Sequence, residues 1–350
     1  MNYLKKLAER KNMKAKIKNR LNIKNHTVLG ENLPLETPFV LLVDPSSLCN
    51  FRCRFCPNGN QDLIRKTGRY QGILDFNLFK KIIDDLKDFP EPIKVLRLYK
   101  DGEPLINPHF ADMIKYAKDS KRILRIDTTT NGSLLNPRLN RQIIDAGINQ
   151  INISVNGVSS EQIYKFTNTR VDFEKYVENI RDLYENKRNC EIYIKAIKEN
   201  LLPDEQSKFF DIFGNISDRI YLEHLSPAWP EFKFDGIEMK FSSGHYGQSI
   251  IEKQVCPYIF YIMVINSDGK TSLCVGDWKH KLVYGDTNKQ RVKDIWLGDI
   301  INSYRIAHLE NRRRDIDFCK NCQVLSHGTL ENIDGYAKEI RERMKKKFGK

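Results

Sequence analysis

From residue 38 to residue 225 the chain alternates short apolar runs with helix-like segments, and any fold proposed for it must satisfy that alternation. The candidate strands are 39–44, 94–99, 124–129, 150–155, 191–197 and 219–225. Helix-like stretches at 77–88, 108–119, 137–146, 160–167, 173–188 and 204–213 separate or follow them. Asp75, Asn107, Asn136 and Ser159 are placed as helix caps and Gly147 as a stop. Repeated strand–helix units build a parallel sheet. Six of them fall short of a full eight-unit barrel, so the expected fold class is α/β: a partial (β/α)6 barrel.

Side chains alternate faces along a strand. One face carries Arg97 and Tyr99; Arg125, Asp127 and Thr129; Asn152 and Ser154; Tyr193 and Lys195; Tyr221 and Glu223. The other carries Leu96 and Leu98; Leu124 and Ile126; Ile151, Ile153 and Val155; Ile192, Ile194 and Ala196; Ile220 and Leu222. The apolar face suits an outer layer of helices, which leaves the polar face to line the lumen. A polar lumen implies a polar ligand, because burying such groups unpartnered is costly. A sheet with one solvated face is the alternative, and parallel sheets are normally covered on both sides. Arg97, Tyr99, Lys195 and Glu223 are therefore candidate catalytic or substrate-holding groups.

The loop after the first strand holds Cys49, Cys53 and Cys56 in a CxxxCxxC run. Three thiolates this close must wrap one object. A four-iron cubane normally takes four thiolates, so three would leave one iron open. A three-cysteine zinc loop or a disulfide loop is the alternative. Farther on stand Cys256, Cys274, Cys319 and Cys322. Asn266-Ser267-Asp268-Gly269 between two β-rich runs predicts a hairpin that brings Cys256 toward Cys274. The CxxC pair then closes a four-thiolate site, for which a zinc ribbon is the competing reading. Cys190 belongs to neither set and reads as a buried small hydrophobe. The stretch 227–247 is aromatic and irregular, a linker or a loop over the barrel mouth. With no apolar signal segment, eight cysteines argue for reduced, metal-binding thiols in the cytoplasm.

The net charge of +13 is uneven. Residues 1–24 carry nine Lys/Arg against Glu9, and residues 336–350 carry seven against Glu339 and Glu342. The body between is formally neutral, so no nucleic-acid partner is expected. Leu4, Leu7, Ile17 and Leu21 loosely line one side of a basic helix. Such tails suit contact with the inner face of an anionic membrane, or are solvated ends.

Several motifs in order resemble the radical S-adenosylmethionine (SAM) superfamily over roughly residues 36–330. They are the cysteine run with Phe55 before its third cysteine, Lys100-Asp101-Gly102-Glu103-Pro104 after the second strand, and Thr128-Thr129-Thr130-Asn131-Gly132 after the third. The resemblance implies a [4Fe–4S] cluster on Cys49, Cys53 and Cys56 whose open iron chelates SAM. It implies that Gly102 and Glu103 hold the SAM amine, although Asp101 replaces the family's first glycine. Asn131 would stand beside SAM, Ser154 and Asn156 would bind the ribose, and Arg170 would pair with the carboxylate. Cys256, Cys274, Cys319 and Cys322 resemble the opening of the SPASM extension in its shortened twitch form, holding a second, closed [4Fe–4S] cluster.

The implied organisation is a basic tail (1–35), the barrel (36–228), a small α+β auxiliary-cluster domain with a β-hairpin (229–335) and a second basic tail (336–350). The implied activity is that of a radical SAM oxidoreductase. Reductive SAM cleavage gives a 5′-deoxyadenosyl radical that abstracts a substrate hydrogen, and the auxiliary cluster accepts the second electron. A carbohydrate-like alcohol is the expected substrate and a flavodoxin- or ferredoxin-type protein the expected electron donor. Peptide modification is the alternative, and a non-enzymatic zinc-ribbon protein a distant one.

Overall fold

The computed structural model describes residues 13–20, 27–233 and 242–348. Six parallel strands follow in chain order: β2 (Val40–Val43), β3 (Ile93–Leu98), β4 (Ile123–Thr130), β5 (Gln150–Ser154), β6 (Glu191–Ile197) and β7 (Arg219–Glu223). These are the six expected strands, each within two residues of its predicted ends. Leu96, Leu98, Ile126, Ile151, Ile153, Ile192, Ile194 and Ile220 are buried beneath the helices, whereas Leu124, expected on the same face, lies at the start of its strand and is 62% exposed. Each such side chain contributes about 1.5–3 kcal/mol of transfer free energy. The polar face turns to the lumen, where Lys195, Glu223, Tyr193, Tyr99 and Asp127 meet one another's neighbours.

Local signals set the helix ends. Asp75, Asn136 and Ser159 each accept a backbone N–H of the first turn that follows. Gly147 adopts φ +91, a conformation favourable to glycine alone. Asn107 departs from expectation. His109 takes the cap position of helix Phe110–Asp119: the Asn107 Oδ1 accepts from His109 N at 3.0 Å, ahead of the first turn, while its Nδ2 donates to Pro45 O at 2.9 Å and Leu74 O at 3.0 Å.

Two edges extend the sheet. β8 (Ile262–Ile265) joins β2 in parallel, and β9 (Lys270–Ser272) and β10 (Val283–Asp286) follow antiparallel. The predicted hairpin is the β8–β9 turn, with Gly269 at φ +83. The strands of the small C-terminal unit thus continue the barrel sheet rather than forming their own. At the opposite edge β1 (Lys16–Ile17) pairs in parallel with β7.

Parts of the basic ends are therefore built into the fold. Ala15 is buried, and its N–H donates to Gly214 O at 2.9 Å. Helix Ala337–Phe348 buries Ile340 and Met344 and sends Arg343 to the carbonyls of Gly30 and Glu31, each at 2.7 Å. Ile17 lies in a strand rather than on a basic helix, while Leu4, Leu7 and Leu21 lie outside the described residues. Among the described residues no helix is long and apolar enough to cross a membrane.

Candidate active site

The cysteine loop leaves β2 and is held at both ends. Arg52 N–H donates to Thr167 O at 2.8 Å and Arg54 N–H to Phe166 O at 3.0 Å, fixing the loop along helix Ser160–Thr167. Gly102 lies on the loop's other flank, where an added Cβ would stand 2.2 Å from Leu48 O. Only glycine permits that approach, and it lets Glu103 N–H reach Leu48 O at 2.8 Å. The Glu103 carboxylate accepts from Thr130 Oγ1 (2.6 Å), Asn131 N (2.8 Å) and Leu105 N (3.2 Å). Burial nevertheless pushes its pKa up to about 7, which an ammonium group beside it would reverse. Asn131 Nδ2 also donates to Asn50 Oδ1 at 2.9 Å, so the turn after β4 touches both Glu103 and the cysteine loop. Phe55 is half-buried, Ser154 stands half-buried at the end of β5, and Asn156 is buried beyond it. Arg170 is exposed, its guanidinium 5.4 Å from the Tyr164 ring, apart from these groups.

Asp101, in place of a glycine, anchors a buried ionic knot. It takes Lys100 Nζ and His280 Nε2 at 2.7 Å each, and Arg69 at 3.4 Å. Burial opposes its charge, but Lys100 and Arg69 hold its carboxyl well below the usual range. Arg69 also donates to Asn58 Oδ1 and to Trp278 O, thereby joining the cysteine loop, the Gly102 turn and the C-terminal unit. Asp44, fully buried nearby, is raised to about 7 by burial and by Asp101.

Inside the lumen Glu223 accepts from Lys195 Nζ at 2.7 Å, Tyr193 Oη at 3.1 Å and His245 Nε2 at 2.9 Å. Burial alone would raise it, but Lys195 and His245 hold it well below the carboxylate range. The other ring nitrogen of His245, Nδ1, meets Ser226 Oγ at 3.2 Å, and in the neutral Nε2–H tautomer it would carry the lone pair that accepts a proton. Tyr99 accepts from Arg20 at 2.7 Å, and Arg97 stands 3.7 Å from Asp127. Tyr99, Lys100, Ser226, Trp229 and His245 share one chamber of about 220 Å³ with Val275 and Val324. Val275 follows Cys274, and Val324 lines both this chamber and the cavity of the second thiolate set, so the two adjoin.

Cys256, Cys274, Cys319 and Cys322 surround one cavity walled by Ile259, Leu273, Phe318 and Leu325. His308 Nδ1 accepts from Cys256 N at 3.2 Å, and Arg313 donates to Cys319 O. Burial, and then Arg313, lowers His308 to about 3, so it is a neutral acceptor. Burial pushes Cys256 and Cys49 up to about 12 and Cys56 to about 11, with neighbouring thiols raising several further. Thiols so placed ionise only against a strong positive charge, which cluster iron supplies. Among the described residues no three His, Cys, Asp or Glu side chains form a group for a single metal ion. All-thiolate sets of three and of four are also the ligand sets of four-iron clusters.

Sequence reading missed Arg20, Arg69, His245, His280, His308 and Arg313. Four of the seven histidines, His245, His280, His308 and His327, fall beyond the barrel, and that clustering was the available signal.

A parallel partial barrel with an open thiolate trio at its mouth and a closed thiolate quartet beside it defines an iron–sulfur enzyme of the SAM-cleaving kind. The sequence profile of the Radical SAM superfamily matches residues 43–201, and that of the SPASM iron–sulfur cluster-binding domain matches 256–323. The chain belongs to the radical SAM superfamily and carries a C-terminal SPASM domain, and its cofactors are SAM and two [4Fe–4S] clusters. It is 26% identical over 295 residues to the tungsten-containing aldehyde ferredoxin oxidoreductase cofactor-modifying protein of Pyrococcus furiosus, covering 77% of this chain and 71% of that one. BtrN in complex with AdoMet and 2-DOIA shares the fold at TM-score 0.52 and 19% identity, over 84% of this chain and 94% of that one. Streptococcus suis SuiB bound to precursor peptide SuiA does so at TM-score 0.56 and 15% identity, over 86% and 77%.

Proposed function

We propose that this enzyme oxidises an alcohol on a small carbohydrate-like substrate to a ketone. One observation carries the reading: the chamber that adjoins the second thiolate set holds only about 220 Å³ and has His245 in its wall. That volume suits a single ring rather than a peptide segment. When bound, the open cluster with SAM supplies a 5′-deoxyadenosyl radical, and the closed cluster supplies a one-electron acceptor.

The chain's own groups perform the rest. Gly102, Glu103 and Asn131 hold the SAM amine end, with Ser154 and Asn156 toward the ribose. Tyr99 and Lys100 bound the chamber on the barrel side. His245 Nδ1, directly or through Ser226 Oγ, takes the hydroxyl proton. Glu223, held ionised by Lys195, stabilises the imidazolium that results. Trp229 and Tyr258 cover the ring and keep water out.

The electron donor has a fitting surface. Cys53 and Cys56 line a groove of about 1260 Å³. Arg52, Arg54, Arg65, Lys165, Lys233 and Lys279 line it against Asp62 and Glu231. That excess of positive charge suits an acidic flavodoxin- or ferredoxin-type carrier.

The decisive measurement is deuterium transfer into 5′-deoxyadenosine from specifically labelled sugar alcohols and from peptides. Transfer from a carbinol carbon, with ketone formed, is the expected result. Transfer from peptides and from no carbohydrate would replace this reading with peptide modification, for which SuiB is the structural precedent.

A further inference from the structure

The amino ends of the strands hold a second, larger cavity of about 1270 Å³. Gln150, Glu191 and Arg219, the first residues of β5, β6 and β7, line it, which places it at the opposite end of the lumen from the cysteine loop. Four arginines enter this space: Arg20, Arg97, Arg125 and Arg219. Between them they share two carboxylates. Asp127 takes Arg20 at 3.1 Å and Arg97 at 3.7 Å, and Glu191 takes Arg219 at 2.7 Å and Arg125 at 3.2 Å. Lys14, Lys16 and Lys18, on and beside β1, add three more cations to the lining. Asp218 and Glu331 also stand in the wall, and Asp218 is paired with Lys187 at 2.8 Å.

Half-buried cations in excess over their partners are costly unless a counter-charge arrives. Seven cations line the cavity against Asp127, Glu191, Asp218 and Glu331, an excess of three that Lys14, Lys16, Lys18 and Arg20 of the basic N-terminal segment supply. Guanidinium forks converging from several strands match the oxygens of a phosphoryl group, which offers more acceptors than a carboxylate. The cavity also adjoins the reaction chamber. Tyr258 and Gly328 line both, and Tyr99 lies just past the end of the strand that carries Arg97.

We infer that this basic cavity binds a phosphate or diphosphate carried by the substrate, while the ring to be oxidised occupies the chamber beside His245. The identity of that ring rests on the dehydrogenation reading; the anion site does not. The N-terminal segment, basic by composition, then serves substrate capture through β1. Two sources share this chemistry, a soluble nucleotide-linked sugar and a lipid-linked one.

The test is calorimetric titration of the anaerobic holoenzyme with pyrophosphate, uridine diphosphate, geranyl diphosphate in detergent, and glucose as the neutral control. The diphosphates are expected to bind and glucose not to compete with them. Arg125→Ala and the surface double variant Lys16→Glu/Lys18→Glu should each weaken binding at least roughly tenfold, as loss of charge-assisted contacts does. The double variant, on an exposed strand, keeps the test valid if Arg125→Ala misfolds. Tighter binding of uridine diphosphate supports a soluble substrate, and tighter binding of geranyl diphosphate supports a lipid-linked one. Failure of every anion to bind, or unchanged affinity in both variants, overturns the inference. Anion binding without deuterium transfer from any sugar would leave this site standing and remove the dehydrogenation reading instead.

Discussion

Cys53 and Cys56 face a wide groove lined by charged side chains, whereas Cys256, Cys274, Cys319 and Cys322 enclose a cavity walled by Ile259, Leu273, Phe318 and Leu325. The first site is flanked by polar turns that leave donors and acceptors beside it: Glu103, Asn131 and Asn50. The second is sealed by apolar packing, with His308 and Arg313 satisfying its backbone. A three-ligand site among polar groups is made to receive a ligand. A four-ligand site in an apolar shell has no open position and excludes solvent, which fits the electron-accepting role proposed for it.

The strongest challenge to that contrast is removal of the first site. Replacing Cys49, Cys53 and Cys56 with alanine should bring reductive SAM cleavage below detection, measured as 5′-deoxyadenosine by chromatography. Cleavage that persists would mean the trio is not the SAM site. Next, His245→Asn should lower kcat about 10²–10⁴-fold with little change in KM, the range for loss of a general base. SAM cleavage itself should survive, since the proton is lost after hydrogen abstraction. A rise in KM alone would make His245 a binding group.

Cys319→Ala/Cys322→Ala sharpens the comparison from the other side. Iron content should fall from about eight to about four per chain, while SAM cleavage stays within about tenfold and ketone formation stops. Reversal of charge at the groove, Arg65→Glu/Lys165→Glu, should raise KM for a ferredoxin-type donor about tenfold and weaken its salt dependence. Activity with a small chemical reductant should not change, and a parallel loss there would place the defect in folding.

The smallest effect concerns Asp44. Its folded pKa of about 7 lies above its unfolded value, so its contribution to stability is present below about pH 4 and is lost as pH rises through 7. Denaturant unfolding of Asp44→Asn should therefore show a flatter decline between pH 4 and 7 than the parent chain does. An identical profile would mean that the carboxylate is satisfied when charged.

Periodicity made the barrel legible, because strands buried on one side and polar on the other leave a period-two record that survives without any knowledge of partners. The cysteines were legible because ligand spacing is local. Arg20 and Arg69 were not. Arg20 sits in a segment whose composition reads as a solvated tail, and its partners, Tyr99 and Asp127, lie just past the end of β3 and on β4. Arg69 acts on Asn58, Asp101 and Trp278, a junction of three segments that no local pattern announces. His245 lies in an irregular stretch where no period exists to assign it a face, and pairing with Glu223 alone gives it meaning.

The pairing of β1 with β7 also bears on how the chain is made. Lys16 leaves the ribosome about two hundred residues before its partner Arg219, which at ordinary synthesis rates is a wait of roughly 10–40 s. During that interval the segment has no edge to join, and β7, once made, can instead pair with another chain until its own N-terminus docks. An N-terminal fusion that restrains residues 13–20 should therefore lower the yield of unaggregated protein without altering a single active-site residue.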